Sequence, residues 1–125
     1  MSHTHWLDRQ DDGDLTIVRF HLHRLTDDDD TREAFAMLQQ LVEAMGRKKL
    51  IVNFSEVDYL ASLAVAKIVM LNRRVEAAGG RLALCGMSER LRNVFKITHL
   101  DDLLKIVASE EEARTAVTNS ASECV

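Results

Sequence analysis

The sequence contains no proline, only two cysteines and no long apolar run. Two cysteines are too few for a disulfide framework, and Cys85 lies inside an apolar stretch, so we interpret it as a small buried hydrophobe. No segment approaches the roughly 20 apolar residues that a membrane helix needs. The first ten residues also lack the charged start and apolar block of a secretion signal. These absences predict a cytoplasmic protein without direct membrane insertion.

An excess of basic residues is also missing. The chain carries 16 basic and 20 acidic residues, for a formal net charge of −4. A protein that follows the phosphates of DNA or RNA usually has a basic stripe, so we expect no nucleic-acid partner. The 125 residues include 46% hydrophobic residues, which is enough for one domain with a core. We predict a single domain over residues 1–117 and a polar, disordered tail over 118–125.

Apolar residues recur along the chain with alternating strand and helix periods. Two strands are predicted at 5–10 and 15–20, joined by a turn at the Asp-Asp-Gly-Asp sequence of residues 11–14. After them the expected elements alternate: helix 30–46, strand 49–54, helix 61–78, strand 81–86, helix 89–97, strand 103–107 and a helix from 110 to about 117. Alternation of this kind favours parallel strands joined by helical crossovers. The fold class is therefore α/β, with a mixed, mostly parallel sheet of about four to five strands and about four helices.

Candidate caps support the helix starts. Asp30 and Glu33 have the spacing of a capping box before the first long helix. Ser88 is predicted to cap the helix at 89–97. Ser109 and Glu112 form a second candidate capping box for the last helix.

The usual signatures of catalysis are absent. The chain has no GxGxxG after a strand, no GxxxxGK[ST] and no GxSxG elbow. Glu56 and Asp58 lie in a loop at the expected carboxyl edge of the sheet, where open α/β folds bind ligands. No nucleophile or base accompanies them, so we interpret both as loop acids and expect neither an enzyme nor a cofactor.

Two patterns could in principle bind a metal ion. One is the pair of histidine doublets, His3 with His5 and His21 with His23, because residues two apart on a strand share a face. The other is the acidic run 27–30, which lacks the spacing and glycine of an EF-hand. A solvated strand end and a helix start explain these patterns more simply, so we predict no metal.

One hydroxyl stands out in the apolar stretch VDYLASLAVAKI of residues 57–68. Ser62 falls where a loop turns into a helix, and serine is a favoured helix N-cap. The same geometry would also tolerate a phosphate, because the free N–H groups of a helix start favour negative charge. The residues leave both interpretations open: a plain cap, or a phosphorylation switch.

Three stretches of the chain resemble the STAS family, the sulfate-transporter and anti-sigma-factor-antagonist domains. They are LIVNFSEVDYLASLAVAKI (50–68), VEAAGGRLALCGMSERLRNVFKITHLDDLLKI (75–106) and EEEARTAV (110–117). The resemblance implies a regulatory protein-binding module whose partner is an anti-sigma factor or a serine kinase-like protein. It places Ser62 on the serine that such kinases phosphorylate. The chain departs from the family pattern at four positions: Asn53 and Ala61 replace a usual Asp, Leu63 a common hydroxyl and Ala64 a common Gly.

We therefore expect a partner-switching module that binds through the loop 54–61 and the start of the following helix and is released by phosphorylation of Ser62. Ser55 is the main alternative acceptor, and Thr98 is another. A second hypothesis is a STAS subunit or scaffold of a transporter or signalling complex that is not phosphorylated. The predicted partner-binding residues are Asn53, Ser55, Glu56, Asp58, Tyr59, Leu60, Ala61, Ser62 and Leu63.

Overall fold

The structure, a computed structural model, describes residues 7–43 and 49–118. The strands are β1 (Leu7–Asp12), β2 (Leu15–Phe20), β3 (Arg24–Leu25), β4 (Lys49–Asn53), β5 (Tyr59–Leu60), β6 (Arg81–Cys85) and β7 (Lys105–Ile106). The helices are α1 (Asp29–Glu43), α2 (Ser62–Ala77), α3 (Glu89–Ile97) and α4 (Glu110–Thr118), with a 3₁₀ turn at Leu100–Asp102. The predicted end of the first helix at Gly46, the doublet His3 and His5 and the tail after residue 118 lie outside the described residues.

The main sheet has five strands in the order β1-β2-β4-β6-β7. The hairpin of β1 and β2 is antiparallel, and all the other neighbours are parallel. The predicted mixed, mostly parallel sheet with four helices is therefore confirmed. Because the strands from β2 onward are parallel, the carboxyl ends of β2, β4 and β6 meet at one edge, which positions the loop after β4.

Helices cover both faces of this sheet. One core cluster joins the sheet to α1, α2 and α3 through Leu38, Ile68 and Phe95. A smaller cluster on the other face packs Ile17, Ile51 and Cys85 under α4. The strands β4 and β6 are buried on both faces, which explains why they appear in the sequence as continuous apolar runs.

A second, two-stranded sheet was not expected. β3 and β5 pair in parallel, and the backbone N–H of Ala61 donates to the carbonyl of Leu25 at 2.9 Å. Strands of two residues carry no periodic signal in the sequence, so only the fold brings them together. This small sheet ties the segment before α2 to the segment before α1.

The start of α1 differs from the prediction. The helix begins at Asp29, and Asp28 caps it by accepting the N–H of Thr31 at 2.9 Å, so the proposed capping box of Asp30 and Glu33 is wrong. Thr31 is buried, and its hydroxyl accepts the N–H of Thr26 at 3.1 Å. The hydrogen bond between Thr26 and Thr31 fixes which of the four aspartates at 27–30 caps the helix. The hydrogen bonds between Asp28 and Thr31 lower the pKa of Asp28.

The other caps agree better with the sequence. The hydroxyls of Ser88 and Ser109 accept the N–H groups three residues later, at 3.3 Å in each case. The last predicted strand shortens to β7, because the 3₁₀ turn and Leu103 precede it. No helix in the two described ranges is both long and apolar enough to span a membrane.

Candidate functional site

Ser62 is exposed at the first residue of α2. Its hydroxyl makes no hydrogen bond to any described residue. The first bond of the helix runs from the N–H of Val65 to the carbonyl of Ala61 at 3.1 Å. The amide groups of residues 62–64 therefore form an open helix N-terminus beside a free hydroxyl.

The alternative that Ser62 is the helix N-cap is wrong. The cap position is Ala61, with extended φ and ψ of −77° and 163°, and it makes no side-chain cap hydrogen bond. The bond from Ala61 to Leu25 holds that residue extended, which places Ser62 one position inside the helix. Ser62 thus has no capping role that would explain its presence here.

Over residues 62–70 the exposed side chains of α2 form an apolar surface around Ser62, whereas the second half of the helix exposes charged side chains. Leu63 is 42% exposed and Met70 49% exposed, and Ala66 between them is also exposed. Spacings of three and four residues place these side chains on one side of the helix. Tyr59, 45% exposed, precedes the helix in β5. We call Tyr59, Ser62, Leu63, Ala66 and Met70 the α2 face.

The segment after β2, which contains His21 and His23, binds the loop 54–61 that precedes α2. His21 Nδ1 lies 2.9 Å from Glu56 Oε2, and His23 Nδ1 lies 3.0 Å from the Glu56 carbonyl and 3.6 Å from Asp58 Oδ2. The N–H groups of Asp58 and Tyr59 both donate to the carbonyl of His23, at 2.7 and 3.2 Å. The acids Glu56 and Asp58 therefore pair with histidines and shape the loop.

Stacking fixes the tyrosine of the α2 face. The guanidinium carbon of Arg24 lies 4.6 Å from the centre of the Tyr59 ring, a cation–π contact. The ring is held against β3 and keeps part of its surface open to solvent. A side chain that is fixed before binding loses less conformational entropy when a partner docks.

Three of the remaining predicted partner-binding residues are less open. Leu60 is buried in the main core, and Ala61 is half-buried at the helix cap. Asn53 is half-buried at the end of β4, whereas Ser55 is exposed at the start of the loop. The structure thus places Ser55, Glu56, Asp58, Tyr59, Ser62 and Leu63 at the surface and the others beneath it.

The sequence did not predict a charged network that lies next to the start of the loop. Arg19 donates to both carboxylate oxygens of Glu110, at 2.7 and 2.8 Å, and Asn53 Nδ2 donates to Glu110 Oε2 at 2.6 Å. The hydrogen bond from Arg19 is the main reason why the pKa of Glu110 lies below its usual value, and it raises the pKa of Arg19. These residues lie up to 91 positions apart, and no local pattern in the sequence links them.

A thiol and two histidines lie at or near this edge of the sheet. Burial raises the pKa of the Cys85 thiol to about 11, so it stays protonated at neutral pH and is a poor nucleophile. Among the residues that the structure describes, no three His, Cys, Asp or Glu side chains are grouped to hold a metal ion. His21 and His23 follow the end of β2 and contact the loop acids.

A concavity of about 650 Å³ lies between α3 and β7. None of the predicted site residues lines it; its walls are Met87, Glu89, Arg92, Asn93, Lys96, Asp101 and Ile106. The exposed hydroxyl of Ser62 and the apolar surface around it belong to a different part of the molecule, so we take the α2 face and the loop 54–61 as the candidate functional site.

Known proteins resemble this chain in sequence. A relative from Thermotoga neapolitana that carries the name anti-sigma factor antagonist TM1081 homolog is 34% identical over 68 residues, which is 54% of this chain and 60% of the relative. The chain spans about three-fifths of the length of the curated relatives it matches.

Solved structures share the fold. The anti-sigma factor antagonist SpoIIAA in its unphosphorylated form matches 90% of this chain and 97% of its own, with a TM-score of 0.67 and 23% identity. Its phosphorylated form, from Bacillus, matches 88% and 98% with the same TM-score and 20% identity. The murine anion transporter Slc26a9 matches 89% of this chain over 19% of its own, with a TM-score of 0.67 and 15% identity.

The family assignment follows from the sequence match. The family model of the STAS domain matches residues 7–113, which run from the first residue of β1 into α4 and include the loop 54–61 and Ser62. The element order, the mixed sheet and the structural matches agree with it. The chain belongs to the STAS domain family.

Proposed function

We propose that this protein is a partner-switching regulator. The unmodified chain binds an anti-sigma factor or serine kinase-like protein in the cytoplasm through the loop 54–61 and the α2 face, without catalysing a reaction. Phosphorylation of Ser62 releases that partner and so controls transcription. The observation that carries the proposal is the exposed, unbonded hydroxyl of Ser62 at an uncapped helix start, inside an exposed apolar surface.

The fold would tolerate a phosphate at this position. A phosphoserine adds about −1.5 to −2 charges at neutral pH. The positive end of the α2 dipole favours negative charge by roughly 0.3–1 kcal/mol, and no cap on Ala61 competes for the open amides. The phosphorylated domain is therefore expected to stay folded.

A docked partner would not tolerate the same phosphate. The side chains of Leu63, Ala66 and Met70 beside Ser62 are apolar, so a partner that covers them removes water from the position of the phosphate. An unpaired charge buried in this way costs several kcal/mol, and about 1.4 kcal/mol corresponds to a tenfold change in affinity. An interface of about 800 Å² per partner is sufficient for specific binding, and it would extend beyond the α2 face onto the loop.

The comparisons support this proposal. The Thermotoga neapolitana relative is named as an anti-sigma factor antagonist. SpoIIAA is known in both a phosphorylated and an unphosphorylated form, and the present chain matches both with the same TM-score of 0.67. A shared fold in both states agrees with a switch that acts at the surface.

Two other hydroxyls are weaker candidates for the phosphate. Ser55 is exposed in the same loop, but its backbone N–H is bound by Asn53 Oδ1 at 2.7 Å, and it does not begin a helix. The hydroxyl of Thr98 donates to the carbonyl of Val94 at 2.8 Å at the end of α3. The negative end of a helix dipole disfavours a phosphate at Thr98.

Mapping the phosphate tests the proposal. Protein isolated from its own cells is expected to contain a fraction with one added phosphate, and peptide mapping is expected to place it on Ser62. The Ser62→Ala variant should lose the modified fraction, whereas Ser55→Ala should keep it. A modified fraction that persists in Ser62→Ala, or its absence from wild-type protein under all growth conditions, would contradict the phosphorylation switch.

An alternative function is a STAS subunit or scaffold of a transporter or signalling complex that is not phosphorylated. The observation in its favour is the match to the murine transporter, of which the chain covers 19%. Under this alternative the α2 face is a permanent contact, and a negative charge at position 62 regulates nothing in the cell. The absence of phosphate together with stable co-purification of transporter components would favour it.

A further inference from the structure

The side chain of Asn53 connects α4 to the start of the loop. Its Oδ1 accepts the N–H of Ser55 at 2.7 Å, and its Nδ2 donates to Glu110 Oε2 at 2.6 Å. One neighbour requires an acceptor and the other a donor, and an amide supplies both. An aspartate at this position could accept from Ser55 but would place a second carboxylate beside Glu110.

Glu110 is itself held firmly. Both of its carboxylate oxygens accept from Arg19 of β2, at 2.7 and 2.8 Å, in the paired geometry that makes arginine–carboxylate contacts strong and directional. The side chain of Arg19 is 30% exposed and that of Glu110 is 25% exposed, so water screens this ion pair less than a fully exposed one. The carboxylate therefore has a fixed position toward Asn53.

The backbone that follows β6 closes the remaining side of Asn53. A Cβ added to Gly86 would lie 2.6 Å from Asn53 Oδ1 and 3.1 Å from the Ser55 nitrogen. The amide of Asn53 thus lies close to Gly86, where there is no room for a larger side chain. Three elements, β2, α4 and the end of β6, determine where Asn53 holds the N–H of Ser55.

We propose that Glu110 is a positioning residue for the partner-binding loop. Through Asn53 it fixes the N–H of Ser55, so the first residue of α4 sets the start of the loop 54–61 from the opposite face of the sheet to α2. The consequence for partner binding rests on the proposed function, whereas the structural coupling does not.

Hydrogen exchange of the Ser55 amide in the full chain tests the coupling. Ser55 is exposed, so its N–H is protected mainly by the bond to Asn53. Glu110→Ala removes the anchor of Asn53, and the Ser55 amide is expected to exchange about tenfold faster. Asp12→Ala is the matched control, because it removes another ion pair of α4, from Arg114 at 2.7 Å, and the charge of Asp12 does not act on Glu110 as that of Arg114 does.

A change of charge at position 53 provides a second test that does not depend on Glu110→Ala. Asn53→Asp places two carboxylates together, and the Ser55 amide should lose protection at neutral pH. Lowering the pH until one of these two carboxyl groups is protonated restores one donor and one acceptor between positions 53 and 110. The Asn53→Asp variant is then expected to recover most of the protection of the Ser55 amide, relative to wild type at the same pH.

Three results would overturn the proposal: unchanged Ser55 exchange in Glu110→Ala, an equal acceleration in Asp12→Ala, or no recovery of Ser55 protection in Asn53→Asp at low pH. If the Ser55 amide exchanges faster in Glu110→Ala but a partner binds this variant as tightly as wild type, Glu110 still positions the loop. That result would contradict a role of the loop in partner docking. The positioning of the loop and its role in docking are therefore tested separately.

Discussion

Replacing Gly86 with alanine is expected to lower the free energy of unfolding by about 2–5 kcal/mol. The φ angle of Gly86 is +76°, a left-handed conformation that L side chains rarely adopt. The new Cβ would also lie 2.6 Å from Oδ1 of Asn53, whose side-chain amide is held in place by two hydrogen bonds. Denaturant unfolding of both proteins measures the difference.

Gly79 supplies the matched control for this prediction. Its φ is +82°, and a Cβ there would meet no atom within 4 Å. Gly79→Ala should therefore show only the conformational cost, about 1–2 kcal/mol. The excess in Gly86→Ala measures how tightly Asn53 is packed, and equal losses in the two variants would mean that the Asn53 side chain moves aside freely.

Replacing Leu63 with aspartate should produce the largest loss of partner affinity, on the order of 100-fold or more. Leu63 is 42% exposed and adjoins Ser62 on the α2 face, so a partner that covers Ser62 also buries this side chain. A buried, unpaired carboxylate opposes docking, whereas the free domain should keep its stability because an acid in the first turn of a helix is tolerated. Calorimetric titration with the partner measures the effect.

Ile97 offers the control for the loss of an exposed apolar side chain. It is 76% exposed at the end of α3, outside the α2 face. Ile97→Asp should leave the affinity within about threefold, a difference of less than about 1 kcal/mol. If Ile97→Asp weakens binding as much as Leu63→Asp does, the partner docks elsewhere or contacts both regions.

The sequence predicted the main sheet because its strands and helices are long enough to show their periods. The alternation after residue 30 and the apolar runs of β4 and β6 predicted parallel strands that are buried on both faces. The pairing of β3 with β5 was missed, since two residues give no period. That pairing also moved the cap of α2 from Ser62 to Ala61, a shift of one position that local preference did not predict.

Long-range polar contacts were the least predictable part of the site. Asn53 was predicted as a partner-binding residue, but its side chain is bound to Glu110, which lies 57 positions later in the chain. Likewise, His21 and His23 looked like possible metal ligands but pair with Glu56 and Asp58. Such contacts depend on which strand ends meet in space, and a single sequence does not record that.

The affinity of the partner for two variants at position 62 tests whether a negative charge at the start of α2 releases the partner. Ser62→Ala removes the hydroxyl and keeps the surface apolar, whereas Ser62→Asp adds a charge where the phosphate would stand. We expect the partner to bind Ser62→Ala as tightly as it binds unphosphorylated wild type, and Ser62→Asp at least about tenfold more weakly, with both variants fully folded. Equal affinity for the two variants would contradict release by negative charge at the start of α2.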